Sequence, residues 1–125
     1  MASRKLIKAL EKKRVQLLQT LLHLSPVIPG SFKKVYRQCG KSNCWCHKGK
    51  GHPLKRITWT EHGRSCSKAV KDDYIDWVIH ATDNYRKFRM MKKKLLNLEL
   101  ETHTMLDCLL KESIKKSRQE KNMQL

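Results

Sequence analysis

The stretch Arg37–His52, reading RQCGKSNCWCHKGKGH, constrains this chain more than any other. It holds Cys39, Cys44 and Cys46, with His47 and His52 close behind. Gly49, Gly51 and Pro53 bend the segment, so no helix or strand runs through it. Three thiols and an imidazole that converge on one loop make a Cys3His set, a usual structural zinc arrangement. The spacing Cys-x4-Cys-x-Cys-x5-His matches neither a zinc ribbon nor a two-Cys, two-His finger. Borderline-soft Zn2+ suits thiolate and imidazole ligands, and a closed four-ligand shell leaves no position for a substrate water. The expected metal therefore serves folding. Cys39, Cys44 and Cys46 are the firmest ligands. His52 is preferred to His47 as the fourth, because a ligand directly after Cys46 would strain the loop, whereas His52 follows a flexible Gly-Lys-Gly turn.

The chain carries 28 Lys and Arg against 11 Asp and Glu, a formal net charge of +17 on 125 residues. Charge this dense repels itself and is best offset by a polyanion: nucleic acid first, then an anionic membrane surface or an acidic protein. From Phe32 to Thr60 there is no acidic residue, while Lys33, Lys34, Arg37, Lys41, Lys48, Lys50, Lys55 and Arg56 all fall there. Such a basic, glycine-containing segment reads as a duplex-DNA surface, with cations on phosphates. Arg86, Lys87 and Arg89 extend it. Tyr36 and Trp45 lie among the cations, so stacking on the unpaired bases of RNA is the alternative. An odd number of unevenly spaced cysteines argues against a secreted disulfide framework. The N-terminus has no apolar leader and no run approaches the roughly 18 apolar residues of a membrane span. A cytoplasmic, DNA-associated protein without small-molecule substrate is expected.

The pattern predicts a mainly α fold with a small β-hairpin. Residues 1–25 form an amphipathic helix, with Ile7, Leu10, Leu17, Leu21 and Leu24 along one stripe, Arg14 interrupting it, Ser3 as N-cap and Ser25-Pro26 as the stop. Residues 26–71 hold the zinc loop, preceded by a short strand over 34–38, and a hairpin whose strands, 54–60 and 65–70, turn at Gly63. Residues 72–125 contain neither Gly nor Pro and form one long helix, capped by Asp72 or Asp73 and ending in a frayed basic tail. Its first seam, Tyr74, Val78, Ala81, Tyr85 and Phe88, should pack on the hairpin and the first helix. A second seam, Met91, Leu95, Leu98, Thr102, Met105 and Leu109, follows after a phase slip, which implies local unwinding or a change of packing partner. The second seam exceeds the need of a small core. Met91, Leu95, Leu98, Met105 and Leu109 are expected to meet another chain, by self-association or on a larger protein; folding back on the first helix is the alternative.

Catalytic patterns are absent. There is no Ser-His-Asp order, no phosphate-cradling glycine loop and no pair of carboxylates in an apolar frame, so no enzyme is expected. Roughly residues 27–90 resemble a family of short prokaryotic proteins associated with mobile elements. These share a Cys-Gly-Lys-x-x-Cys-x-Cys loop, a Gly-His-Pro-like step and a glycine-turned hairpin before a long helix. The matching residues are Cys39-Gly40-Lys41, Cys44, Cys46, Gly51-His52 and Gly63-Arg64-Ser65; Pro53-Leu54 departs from the pattern, which would place a further glycine and an aromatic strand start there. Size, charge and layout are also similar to the small third transposition proteins of staphylococcal-type transposons that use tyrosine recombinases. The resemblance implies an accessory factor of transposition and DNA recombination that binds a recombinase, element DNA or both. It implies no cutting, since Tyr36, Tyr74 and Tyr85 lack the Arg, His and Lys setting of a recombinase nucleophile.

Overall fold

The computed structural model describes residues 2–122. Residue 1 and residues 123–125, the extreme ends of the expected first helix and basic tail, lie outside the described residues. The elements are α1 (Ala2–Leu22), β1 (Ser31–Arg37), a short 3-10 turn (Trp45–Lys48), β2 (His52–Glu61), β3 (Arg64–Ala69), a second 3-10 turn (Asp72–Tyr74) and α2 (Ile75–Glu120). The mainly α fold with a Cys-rich loop and a long C-terminal helix is as expected. The chain divides into two compact units, Leu24–Lys87 on one hand and Met1–His23 with Phe88–Leu125 on the other.

The first unit is built on an antiparallel sheet in the order β1-β2-β3. The hairpin β2–β3 forms because Ile57, Thr58, Trp59 and Thr60 favour extended backbone and because His62 and Gly63 both take positive φ, 50° and 75°. Two positive central residues give the turn a twist that matches the flanking strands. The short strand expected at 34–38 is longer and earlier, Ser31–Arg37, and it pairs along β2 from Ser31 with Thr58 to Arg37 with His52. The sheet is therefore three-stranded. Pro53 is accommodated although β2 is the central strand. β3 pairs only with Arg56–Glu61, so the stretch of β2 around Pro53 has a neighbour on one side alone and loses no ladder bond.

Register sorts the side chains into two faces. Phe32, Ile57 and Lys68 share one face, which carries Ile57 into the core. Ile57 and Val78 are both buried, and the first turns of α2 complete that core with Ala81 and Thr82. The buried Thr82 hydroxyl donates to the Val78 carbonyl at 2.9 Å. The segment after α1 is pinned to the same helix. Ile28 N–H donates to the Ala81 carbonyl at 3.1 Å, and the buried Asn84 Nδ2 donates to the Pro26 carbonyl at 2.9 Å. Neither Asp72 nor Asp73 caps α2. Both lie inside the 3-10 turn behind Lys71, where their charge still suits the positive end of the helix, and Asp72 pairs with Lys55 Nζ at 3.1 Å.

The second unit joins α1 to the later part of α2. Ser3 lies within α1 rather than at its cap; it is buried and donates to Glu112 Oε1 at 2.7 Å. Arg14 Nε meets Glu99 Oε1 at 3.5 Å. Early residues of α1 thus meet late residues of α2, and the two run antiparallel. Leu17 and Leu98 line one groove between them. Met91, Leu95, Leu98, Thr102, Met105 and Leu109 are half-buried, as is Glu99 beside Leu98. The seam expected to meet another chain belongs to an intramolecular helix pair. The phase slip leaves α2 unbroken, and the boundary between the units falls at Lys87 and Phe88. A change of packing partner, not unwinding, accounts for the slip. The expected fraying after Lys111 gives way to helix as far as Glu120.

Replacing Asn84 by Ala leaves the half-buried Pro26 carbonyl without its donor. Urea unfolding should show a loss of about 1–3 kcal/mol, whereas replacing the exposed Asp83 by Asn should change stability by less than about 0.5 kcal/mol.

Candidate metal centre

Cys39 follows the end of β1 by two positions, and His52 opens β2 opposite Arg37. The intervening loop carries Cys44 and Cys46, the latter in the 3-10 turn that begins at Trp45. The ligand atoms of Cys39, Cys44, Cys46 and His52 all lie within 4.8 Å of one another. Cys46 Sγ is 3.5 Å from Cys39 Sγ, and Cys44 Sγ is 3.3 Å from His52 Nε2. A tetrahedral ion bound at zinc–sulfur and zinc–nitrogen lengths sets such atoms roughly 3.5–3.8 Å apart. The four residues are close enough together to hold a metal ion.

Each ligand is held by local structure. Cys46 is fully buried, and its sulfur accepts the Cys39 backbone N–H at 3.3 Å. The His52 ring stands edge-on to Trp45, with ring centres 4.9 Å apart. Gly51 has φ 99°, and a Cβ there would lie 2.6 Å from the Arg37 carbonyl carbon, so only glycine lets the loop re-enter β2 beside β1. His47 is outside the ligand group. Its Nε2 lies 3.0 Å from the Cys39 carbonyl oxygen, where it braces the backbone of a ligand. The structure groups His52, not His47, with the three cysteines.

The thiols differ in proton affinity. The Cys46 backbone N–H points at the Cys44 sulfur, and side-chain contacts with Cys46, His52 and Cys39 add to it, bringing the Cys44 thiol down to about 6 against the opposing effect of burial. The lowering favours the thiolate, the ligating form. Burial pushes the Cys46 thiol up, and the neighbouring Cys39 and Cys44 sulfurs reinforce that. Three sulfurs so close together gain from a cation between them. Cys66, on β3, and Cys108, on α2, lie outside the group.

The expected nucleic-acid contacts separate by face. Lys33, Arg37 and Arg56 share one face of the sheet, since Lys33 pairs with Arg56 and Arg37 with His52. Lys34 and Lys55 point the other way. Lys55 is engaged by Asp72, and Lys34 Nζ lies 5.7 Å from the Tyr36 ring centre, with Lys50 Nζ at 5.6 Å from the same ring. Lys41 and Lys48 are exposed on the metal loop, and Arg86, Lys87 and Arg89 are exposed on α2, with Arg86 reaching Asp83 at 3.2 Å. A ladder of hydroxyls, not among the expected contacts, lies on the face of Lys33 and Arg56. Ser31, Thr58 and Ser67 form one row across all three strands, and Thr60 pairs with Ser65. Their two-residue spacing along β2 and β3 was the signal. No acidic residue falls on this face.

A family described as a domain of unknown function, DUF6788, matches residues 7–79, and the chain belongs to it. The match runs from α1 through the four ligand residues and the whole sheet into the first turn of α2. No curated protein and no solved structure matches the chain.

Replacing Cys44 by Ser, or His52 by Ala, should abolish stoichiometric metal and destabilise the protein by about 4 kcal/mol or more. His47→Ala should keep one ion per chain but lower metal affinity about 10- to 100-fold. Elemental analysis of the purified variants with thermal melting checks both, and equal metal content in all of them would sink the ligand assignment.

Proposed function

We propose that this DUF6788 member is a zinc-stabilised, non-catalytic DNA-binding protein that assists a recombinase at mobile-element DNA. Zinc is the ion favoured by three thiolates and one imidazole in a closed set. Such a set offers no open position for a substrate water, which supports a folding role and a protein that is not an enzyme. The observation that carries the DNA reading is the open face of the sheet. Lys33, Arg37 and Arg56 stand there beside Ser31, Thr58, Thr60, Ser65 and Ser67, without any acidic residue. Cations supply charge for phosphates, and hydroxyls supply neutral hydrogen bonds to phosphate oxygens. The metal loop brings Lys41, Lys48 and Lys50 to the same end of the sheet as Arg37 and His52. The mobile-element setting and the recombinase partner rest on the resemblance of the Cys-Gly-Lys-x-x-Cys-x-Cys segment. No helix among the described residues is long and apolar enough to cross a membrane, which is consistent with action on DNA in the cytoplasm.

A protein-interaction scaffold is the second reading. With Met91, Leu95, Leu98, Met105 and Leu109 half-buried, the more open side chains for a recombinase or a second copy are Leu96, Leu100, Leu106, Leu110 and Ile114, all exposed on α2. Asp substitution at Leu96 and Leu100 should abolish partner capture and leave DNA affinity intact if that reading holds.

Fluorescence anisotropy of the zinc-loaded chain, on element-end and scrambled duplexes across a salt series, tests the DNA reading. Preference for the element end should survive at about 150–200 mM salt, where non-specific contacts weaken by orders of magnitude. Lys33→Gln and Arg56→Gln should each lower the slope of log affinity against log salt by about 1. Equal, rapidly fading binding to both duplexes would refute sequence-selective DNA recognition.

A further inference from the structure

The opposite face of the sheet carries a pocket that the duplex reading does not use. It has a volume of about 500 Å3 and opens between β2, β3 and the start of α2. Ile57 and Val78, both only 8% exposed, form its floor. Trp59, Tyr74 and Trp77 form its walls, and Lys68 and Lys71 stand among the lining residues with no acidic side chain. Tyr74 is 57% exposed and Trp77 50% exposed. Two large rings left half open beside each other forgo hydrophobic stabilisation that a ligand would supply.

We propose that this pocket takes an unpaired base of a single-stranded nucleic acid, stacked on the aromatic walls, with the flanking phosphates on Lys68 and Lys71. Three observations support that occupant. The volume falls within the roughly 300–1,000 Å3 of small-ligand sites, enough for one base and too small for a duplex. The Trp59 indole is oriented, because Nε1–H donates to Glu61 Oε2 at 3.3 Å. That bond uses the only donor of the ring and leaves its face for stacking. Both lining ions are cations, Asp72, next in the chain to Lys71, is paired with Lys55, and the carboxylate of Glu61 beside the wall is engaged by the Trp59 indole. Aromatic stacking with cationic flanks is the general mode of single-strand recognition, indifferent to base identity because every base has a π face. The sequence placed such stacking at Tyr36 and Trp45. Those two rings lie outside this pocket: Tyr36 stands beneath two lysines, and Trp45 against His52.

The test uses the full, zinc-loaded chain with Trp45→Phe, so that only Trp59 and Trp77 report fluorescence. Short oligo-dT and oligo-U are titrated at about 150 mM salt, where purely ionic binding is weak. Both strands should quench the emission, and the tighter of the two identifies DNA or RNA as the natural source. Trp77→Ala and Tyr74→Ala should each weaken single-strand affinity about tenfold, with Tyr74→Phe restoring it. Because Tyr74 is largely outside the core, its variants keep the test valid even if Trp77→Ala fails to fold. Lys33→Gln and Arg56→Gln should leave the quenching unchanged, so failure of the duplex reading and failure of this one are separately visible. Binding without quenching, or unchanged affinity in both pocket variants, would overturn the proposal; so would quenching by an apolar peptide but by neither oligonucleotide.

Discussion

The convergence of Cys39, Cys44, Cys46 and His52 is the contact on which the sheet unit depends. A single-layer sheet of three strands has little to bury. Of its strand residues only Ile57 is buried, and the loop from Gln38 to Gly51 contributes just Cys46 and Gly51 to the interior. A loop of that length with so few apolar contacts gains almost nothing from the hydrophobic effect to offset its ordering entropy. Coordination of an ion by these four residues would supply what burial cannot. It would join Cys39, two residues past β1, to the first residue of β2, so that one ion would close the loop at its neck. Three thiolates around a divalent ion would also leave one net negative charge in a segment otherwise wholly cationic, easing the mutual repulsion of Lys41, Lys48 and Lys50.

How a chain with a charge of +17 folds at all follows from where its cations are set. Few are brought into the interior. Lys55 finds Asp72, Arg14 finds Glu99, and Lys34 and Lys50 spread over the Tyr36 ring. Each such contact is modest at a solvated surface. Arg86 reaches Asp83, most of the other cations lie at the solvated surface, and Lys33, Arg37 and Arg56 are gathered on a face without acids by strand register alone. The charge is a surface property, tolerated by the fold rather than used by it.

The metal set was legible because ligand chemistry is local: four residues of the right type within one bent segment leave few arrangements. The choice of His52 was legible for the same reason, through the Gly-Lys-Gly turn before it. The long helix was written in the absence of Gly and Pro after Gly63. What the sequence hid depended on partners far along the chain. Ser31, Phe32 and Lys33 carry no strong strand signal of their own; they extend because β2 offers a ladder as far as Thr58. Ser3 reads as a cap from its neighbours, but its hydroxyl answers Glu112 at the far end of the chain. Apolar periodicity located the seam from Met91 to Leu109 without saying whether α1 or another molecule would cover it. A periodic stripe encodes a buried face and leaves the identity of what buries it to tertiary structure.

Strand register is where the two proposed binding surfaces come from. Along β2 the alternation of side chains sends Ile57 and Trp59 toward α2 and Arg56, Thr58 and Thr60 to the open side. A slip of one residue would exchange the sets, burying a guanidinium and exposing the core isoleucine. A one-layer sheet with a mixed surface resists such a slip only if its strands are held at their ends. Here β2 is held at both. At one end the four ligands tie His52 to the exit of β1, and at the other the positive φ of His62 and Gly63 dictates a tight return into β3. Between these two clamps the alternation has one phase. The cationic, hydroxyl-bearing face and the aromatic pocket are therefore the two sides of a single register, and an ion held by the four loop residues would also keep them apart.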